Sequence, residues 1–232
     1  MSETRGPVLG IQPTPHDHTG HLKVESQVSV AEIGTETSER WLVHSPYVER
    51  EHQLDLHTLD NENALLARAL ARMECLRPDY ATSSYTETFN WGEVHQELRD
   101  LVRRSGKTFK ETSFYIVAFR SQIPPTTVYE DLGTLDKAAH KEANEFGGFL
   151  KYWFGSPDAE GRNLATCFWR SRADAVRAGH GPAHRKAARA TASMYSFWKI
   201  DRHRLIVREG AESFEIVDWE DKVSEGGCPH AS

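Results

Sequence analysis

Between Ala165 and Ala188 the chain reads ATCFWRSRADAVRAGHGPAHRKAA, which places a cysteine, a tryptophan and two histidines close together. Histidine is the side chain best matched to proton transfer near neutral pH. His180 and His184 stand four apart, the spacing by which zinc sites put two imidazoles on one helical face. Gly181-Pro182 lies between them and argues against that arrangement. Proline lacks the backbone donor and clashes with the preceding turn, so a break is expected, with Pro182 opening a new helix. No metal site is therefore read here. Cys167, in mid-strand, reads as an inert buried thiol. Elsewhere His140 follows Asp136 by one helical turn, a carboxylate able to orient and charge the ring, although a solvated helix face accounts for the pair equally well. Ala183, Ala187, Ala188 and Ala190 give the second helix little bulk. Either that helix lies close to the strand carrying Cys167 and Trp169, or the missing volume is a pocket with aromatic walls.

The elements that must hold these residues follow from the apolar pattern. Asp60 caps a helix with Leu66, Leu70, Met73 and Leu76 on one face, stopped by Pro78. Asn90 caps a second helix with the stripe Trp91, Val94, Leu98 and Leu101, ended by Gly106. SFYIVAFRS (113–121) alternates as a strand that is apolar on both faces. A helix with Leu132, Leu135, Ala139, Ala143 and Phe146 follows, closed by Gly147-Gly148. FLKYWFG and LATCFWR read as strands, Ser171 as a cap with Asp174 completing the box, MYSFWKI as a fourth strand, and RLIVRE with SFEIVDW as a hairpin across Gly210. The order is a split βαβ arrangement over one antiparallel sheet, an α+β, ferredoxin-like plan with an N-terminal helical extension. Such a sheet carries its helices on one face, so its second apolar face must meet another sheet, the extension or a second copy.

The totals bound the rest. Residues 1–40 read as a flexible arm, 41–108 as the helical extension, 109–222 as the sheet domain and 223–232 as a flexible tail. His16, His18 and His21 belong to the arm and read as polar tail residues. A net charge of −6 and the absence of a basic run argue against nucleic acid. No apolar run reaches the length of about 20 residues that a membrane helix needs. The N-terminus lacks a signal-peptide core, which points to the cytoplasm. Cys75, Cys167 and Cys228 form no CxxC pair. Searches for GxGxxG at a strand-to-helix turn, GxxxxGK[ST], HExxH and GxSxG are empty, which removes the familiar nucleotide and serine-hydrolase signatures.

HKEANEFGGFLKYWFG (140–155), NLATCFWRSRADAVRAGHGPAHRKA (163–187) and MYSFWKIDRHRL (194–205) resemble a fungal protein family over roughly the last 120 residues. More distantly, this half resembles the dimeric α+β barrel superfamily, which includes antibiotic-biosynthesis monooxygenases and EthD-like proteins. The resemblance implies a homodimer with sheets packed face to face, and a cavity between sheet and helices for a small apolar or aromatic molecule. It implies His140, His184 and Tyr195 as candidate catalytic groups, and Trp153, Trp169, Cys167 and Trp198 as candidate substrate contacts. Three functions follow as expectations. The first is cofactor-independent oxygenation, isomerisation or cyclisation in secondary metabolism with a histidine base. The second is a small-molecule-binding or stress-related protein without turnover. The third is a haem enzyme with His184 or His140 as axial ligand.

Overall fold

The computed structural model describes residues 40–220; the arm, the tail and Cys228 lie outside the described residues, apart from Arg40. The chain enters through β1 (Trp41–Leu42), and after a loop returns in β2 (Leu54–Asp55), which pairs antiparallel with β1. Next come α1 (Asn61–Leu70), the short α2 (Tyr85–Thr88) and α3 (Trp91–Ser105). The second half runs β3 (Thr112–Gln122), α4 (Tyr129–Phe146), β4 (Phe149–Phe154), β5 (Arg162–Trp169), α5 (Arg172–Gly179), α6 (Pro182–Thr191), β6 (Phe197–Val207) and β7 (Phe214–Asp218). The sheet order is β4-β5-β3-β6-β7, antiparallel throughout. Its first four strands form the split βαβ expected from the sequence, and β7 extends it.

The alternation along β3 sorts the two faces. Phe114, Ile116 and Ala118 join Leu164, Phe168, Leu205 and Val207 in one core with Leu66, Leu70, Met73, Val94 and Leu98 of α1 and α3. Tyr115 turns the other way, into a second cluster with Ala143, Phe149, Trp169 and Ala178, beneath α4 and α5. The extension therefore covers the second apolar face from within the chain. A face-to-face homodimer of the kind the resemblance implies would find that surface already occupied. Burial of this size, with many fully buried side chains on both layers, is the main drive for docking the extension.

Local chemistry sets the ends. Asp60 accepts from the backbone N–H of Asn63 at 3.0 Å, as a cap should. The helix stops at Leu70, short of the expected Leu76, which is exposed; Cys75 instead bridges to Phe89. Asn90 precedes α3 but does not cap it through its side chain. Its carbonyl oxygen accepts from Glu74 N–H at 2.8 Å, and its amide donates to Glu93 Oε2 at 2.7 Å and to Arg72 O at 3.0 Å, tying the turn to the end of α1. The helix break falls at Gly181-Pro182 as expected, leaving His180 at the end of α5 and His184 in the first turn of α6. MYSFWKI and RLIVRE, read as separate strands, are one strand of 11 residues. The charged Asp201-Arg202-His203 between them imitates a turn in sequence, but Arg120 Nε donates to Asp201 Oδ2 at 3.0 Å across β3 and β6 and keeps the ladder running.

Gly148 sits at φ +77°, and a Cβ there would lie 2.6 Å from Asp174 Cγ. Asp174 is buried and receives Arg170, Arg177 and the Ser171 hydroxyl at 2.9, 2.7 and 2.6 Å. Gly148→Ala should therefore cost about 1–3 kcal/mol in urea unfolding, through both backbone strain and the displaced carboxylate. An unchanged midpoint would contradict this account of the α4–β4 turn.

Candidate functional site

The loop between β1 and β2 lies along α4 and delivers side chains that the sequence pattern does not reveal. Tyr47 Oη donates to Asp136 Oδ2 at 2.6 Å. Tyr152, from β4, donates to Asp136 Oδ1, also at 2.6 Å. Each carboxylate oxygen is thus held by one phenol. Burial raises the Asp136 pKa above the ordinary carboxylate range, against the opposing pull of the Tyr152 and Tyr47 hydrogen bonds and of the nearby His184 and His52. Burial and the adjoining carboxylate push Tyr47 and Tyr152 upward, so both remain protonated donors.

His140 is one turn along α4 but does not touch Asp136. Its Nδ1 lies 2.9 Å from Nδ1 of His52, so one ring donates and the other accepts. Its Nε2 is buried without a partner. Burial, with His44 and His52 adding to it, takes its pKa down to about 3, and burial with Lys151 nearby takes His44 down to about 4. His44 is fully buried. Its ring nitrogens meet no partner in good geometry, although the Leu150 and His52 backbones lie near enough to favour the charged form.

The predicted residues divide between two faces. Cys167 faces α4 and is held up at about 12 by burial. Trp169 stacks on Phe149 at 4.5 Å and fills the space under α5. Tyr195, pushed up to about 12 by burial, packs edge-on against Phe119 at 5.4 Å, and Trp198 stacks with Phe119 at 6.1 Å while remaining 55% exposed. His184 is exposed, yet the atoms around it depress its pKa, opposed by Glu142 and Asp136. Trp153 is on the opposite face, edge-on to Phe89 and Tyr80, as part of the extension's core. The structure therefore assembles Asp136, His184, Tyr195, Trp198 and Cys167 on the α4–α6 side, puts His140 and Trp169 behind them, and separates Trp153.

α6 packs mainly on α4 and buries none of its side chains. Val128 and Tyr129, at the start of α4, and Trp198, at the start of β6, are exposed.

The chain matches the PB2B2.08-like family model over residues 43–218. It belongs to that family. The matched span includes Tyr47, Asp136, Tyr152 and His184 of this PB2B2.08-like chain. It is 37% identical over 193 residues to UPF0643 protein PB2B2.08 of Schizosaccharomyces pombe, covering 79% of this chain and 87% of that one. The resemblance to a fungal family is thereby borne out. Among solved structures, it is similar to SnoaB, a cofactor-independent oxygenase from Streptomyces nogalater, at 11% identity and a TM-score of 0.32, over 40% of this chain and 90% of that one. A Nitrosomonas europaea protein described as an antibiotic biosynthesis monooxygenase matches at 13% identity and a TM-score of 0.35, over 38% and 94%.

A cleft of about 610 Å³ opens elsewhere, between Thr82–Tyr85 and the outer edge of β6. Its charged groups are largely spent on one another: Arg120 and Lys199 on Asp201, and His203 on Asp218. It lies apart from Asp136. Among the described residues there is no cluster of three or more His, Cys, Asp or Glu able to hold a metal ion, and no helix long and apolar enough to cross a membrane.

Proposed function

We propose that the chain is an enzyme acting on a small apolar or aromatic metabolite, with Asp136 as the group that moves the proton. The observation that supports it is the carboxylate itself: half-buried, raised in pKa, and held at both oxygens by tyrosine hydroxyls, with the aromatic side chains Tyr129 and Trp198 exposed. A carboxyl tuned upward accepts a proton more readily than an ordinary one and can return it. In this reading the base is Asp136 rather than His140, whose pKa near 3 makes it a weak acceptor and whose ring is enclosed by His52, Tyr47 and Phe149.

The step is removal of an acidic O–H or of a C–H beside a carbonyl. The proton passes to the carboxylate and the electron pair stays on the substrate as an enolate or phenolate. Return of the proton to a different atom completes an isomerisation or cyclisation with no other reactant. Oxygenation would require dioxygen as co-reactant at the same anion. Tyr195, Trp198 and Phe119 supply the flat apolar contacts, and His184 a polar group at the rim.

Haem fits these residues poorly. His140 has one nitrogen engaged by His52 and the other enclosed, and His184 stands exposed on a helix turn. Binding without turnover is a second reading, favoured by the fact that both oxygens of Asp136 are already occupied. Incubation with fractionated fungal metabolites, followed by mass spectrometry, separates the two. The enzyme reading expects a substrate mass to be consumed or a product of equal mass to elute differently; binding alone expects retention without change.

A further inference from the structure

We propose that residues 43–53 form a strap across α4 that acid releases, and that its release uncovers Asp136. The strap is a loop with a clasped base. Trp41 and Leu42 pair with Asp55 and Leu54, and Arg40 grips Asp55 at 2.6 Å. Its body lies along two neighbouring rows of α4. On the first row Tyr47 reaches Asp136, His52 meets His140, and Asn144 Nδ2 donates to Gln53 O at 2.8 Å and to Glu51 O at 3.3 Å. On the second, Glu49 pairs with Lys137, and Glu51 stands 3.5 Å from Lys141. These are i, i+4 positions of one helix, so the strap is read by a single helical surface.

The central contact holds only one proton. Two Nδ1 atoms 2.9 Å apart are compatible with one N–H and one lone pair. With both rings protonated, each nitrogen carries a hydrogen and each ring a charge, and the contact becomes repulsive. The groups facing the pair are, from the strap, His44, Tyr47, Glu49 and Glu51; from α4, Lys137, Lys141 and Asp136; and from β4, Tyr152 and Lys151, the lysine taken by burial to about 8. Glu49 and Glu51 favour the charged rings and the lysines oppose them.

Burial sets the rings of His44, His52 and His140 below the ordinary histidine value of 6.5 in the folded chain. Their contribution to stability is then whole above about 6.5. It declines as pH falls below that value, because the released or unfolded form binds more protons. Asp136 works the other way, since its raised pKa favours the folded form as it protonates, but Tyr47 can still donate to a protonated carboxyl. The strap is the element through which the histidine loss is relieved, because it carries two of the three rings and returns them to water without opening the sheet.

The importance of this release for catalysis rests on the role proposed for Asp136; the release itself does not. Hydrogen–deuterium exchange of the full chain from pH 7.5 to 4.5, corrected for intrinsic rates, reads it directly. The strap should lose at least about tenfold protection between pH 7 and 5 while β3 and β5 keep theirs. Carbodiimide labelling of Asp136, scaled to exposed Asp131, should rise over the same interval. In His140→Phe, and independently in His52→Phe, the step with pH should shrink to the part that His44 and the remaining ring supply, whatever the resting protection. Strap protection that tracks the sheet at every pH, a step of undiminished size in both variants, or Asp136 labelling that stays flat while the strap opens would each overturn the proposal. A strap result as expected with no turnover of any metabolite would count against the enzymatic reading alone.

Discussion

Asp136→Asn should retain the fold and lose about 10²–10⁴-fold in turnover of whatever metabolite the wild type consumes, the usual range for removing a general acid–base. The amide has nearly the shape of the carboxylate. Its oxygen can still accept from one tyrosine, and its nitrogen can donate to the other hydroxyl, so the bracing at 2.6 Å loosens without leaving a hole. What it cannot do is take a proton. Tyr47→Phe and Tyr152→Phe should lose less, and both should shift the acid limb of the pH profile upward, because each phenol holds the Asp136 pKa down against burial. Steady-state kinetics across pH checks all three. Turnover by the asparagine variant within a few-fold of wild type would remove Asp136 from the chemistry.

The second large effect concerns the joint between extension and sheet. Arg120, in β3, donates to Asp201 on β6 and to three main-chain carbonyls: Tyr80 at 3.1 Å, Ala81 at 2.7 Å and Ser83 at 2.8 Å. The guanidinium fork suits this divergent set of acceptors, and a lysine could serve only part of it. Arg120→Met would leave those carbonyls without their donor and Asp201 with Lys199 as its remaining ion-pair partner. Breaking one side of a largely buried ion pair costs about 3–5 kcal/mol, and the surviving lysine places this case near the lower bound. Chemical denaturation should show that loss, with Arg120→Lys in between. A midpoint equal to wild type would mean that the apolar layer alone holds the extension.

Much of this architecture can be read from local pattern. Phe114, Ile116 and Ala118 against Tyr115, Val117 and Phe119 announce a strand buried on both faces, and the helical stripes of α1 and α3 supply the cover for one of them. Gly181-Pro182 announces the break. The candidate site was less legible, because its partners are distant in sequence. Tyr47 and Asp136 are 89 residues apart, and His52 and His140 are 88 apart. The loop that carries Tyr47 and His52 has no apolar period, so composition gave no reason to seat it on α4. Asp136 was legible as a neighbour of His140, but helical spacing offers a contact without requiring it. The carboxylate turned to phenols from β4 and the loop instead. The continuity of β6 was hidden for a related reason: Asp201 sits in a strand because Arg120 and Lys199 neutralise it, and strand propensity does not record such partners.

The ionisation of Asp136 decides between a proton-moving carboxyl and an ordinary one. Carbon-13 NMR of carboxyl-labelled aspartate, with Asp136→Asn used to assign the signal, measures it in the intact protein. The predicted curve lies above the ordinary aspartate value of 3.8, and moves further up when either tyrosine is replaced by phenylalanine. A signal titrating at or below 3.8, indifferent to both phenols, would contradict it.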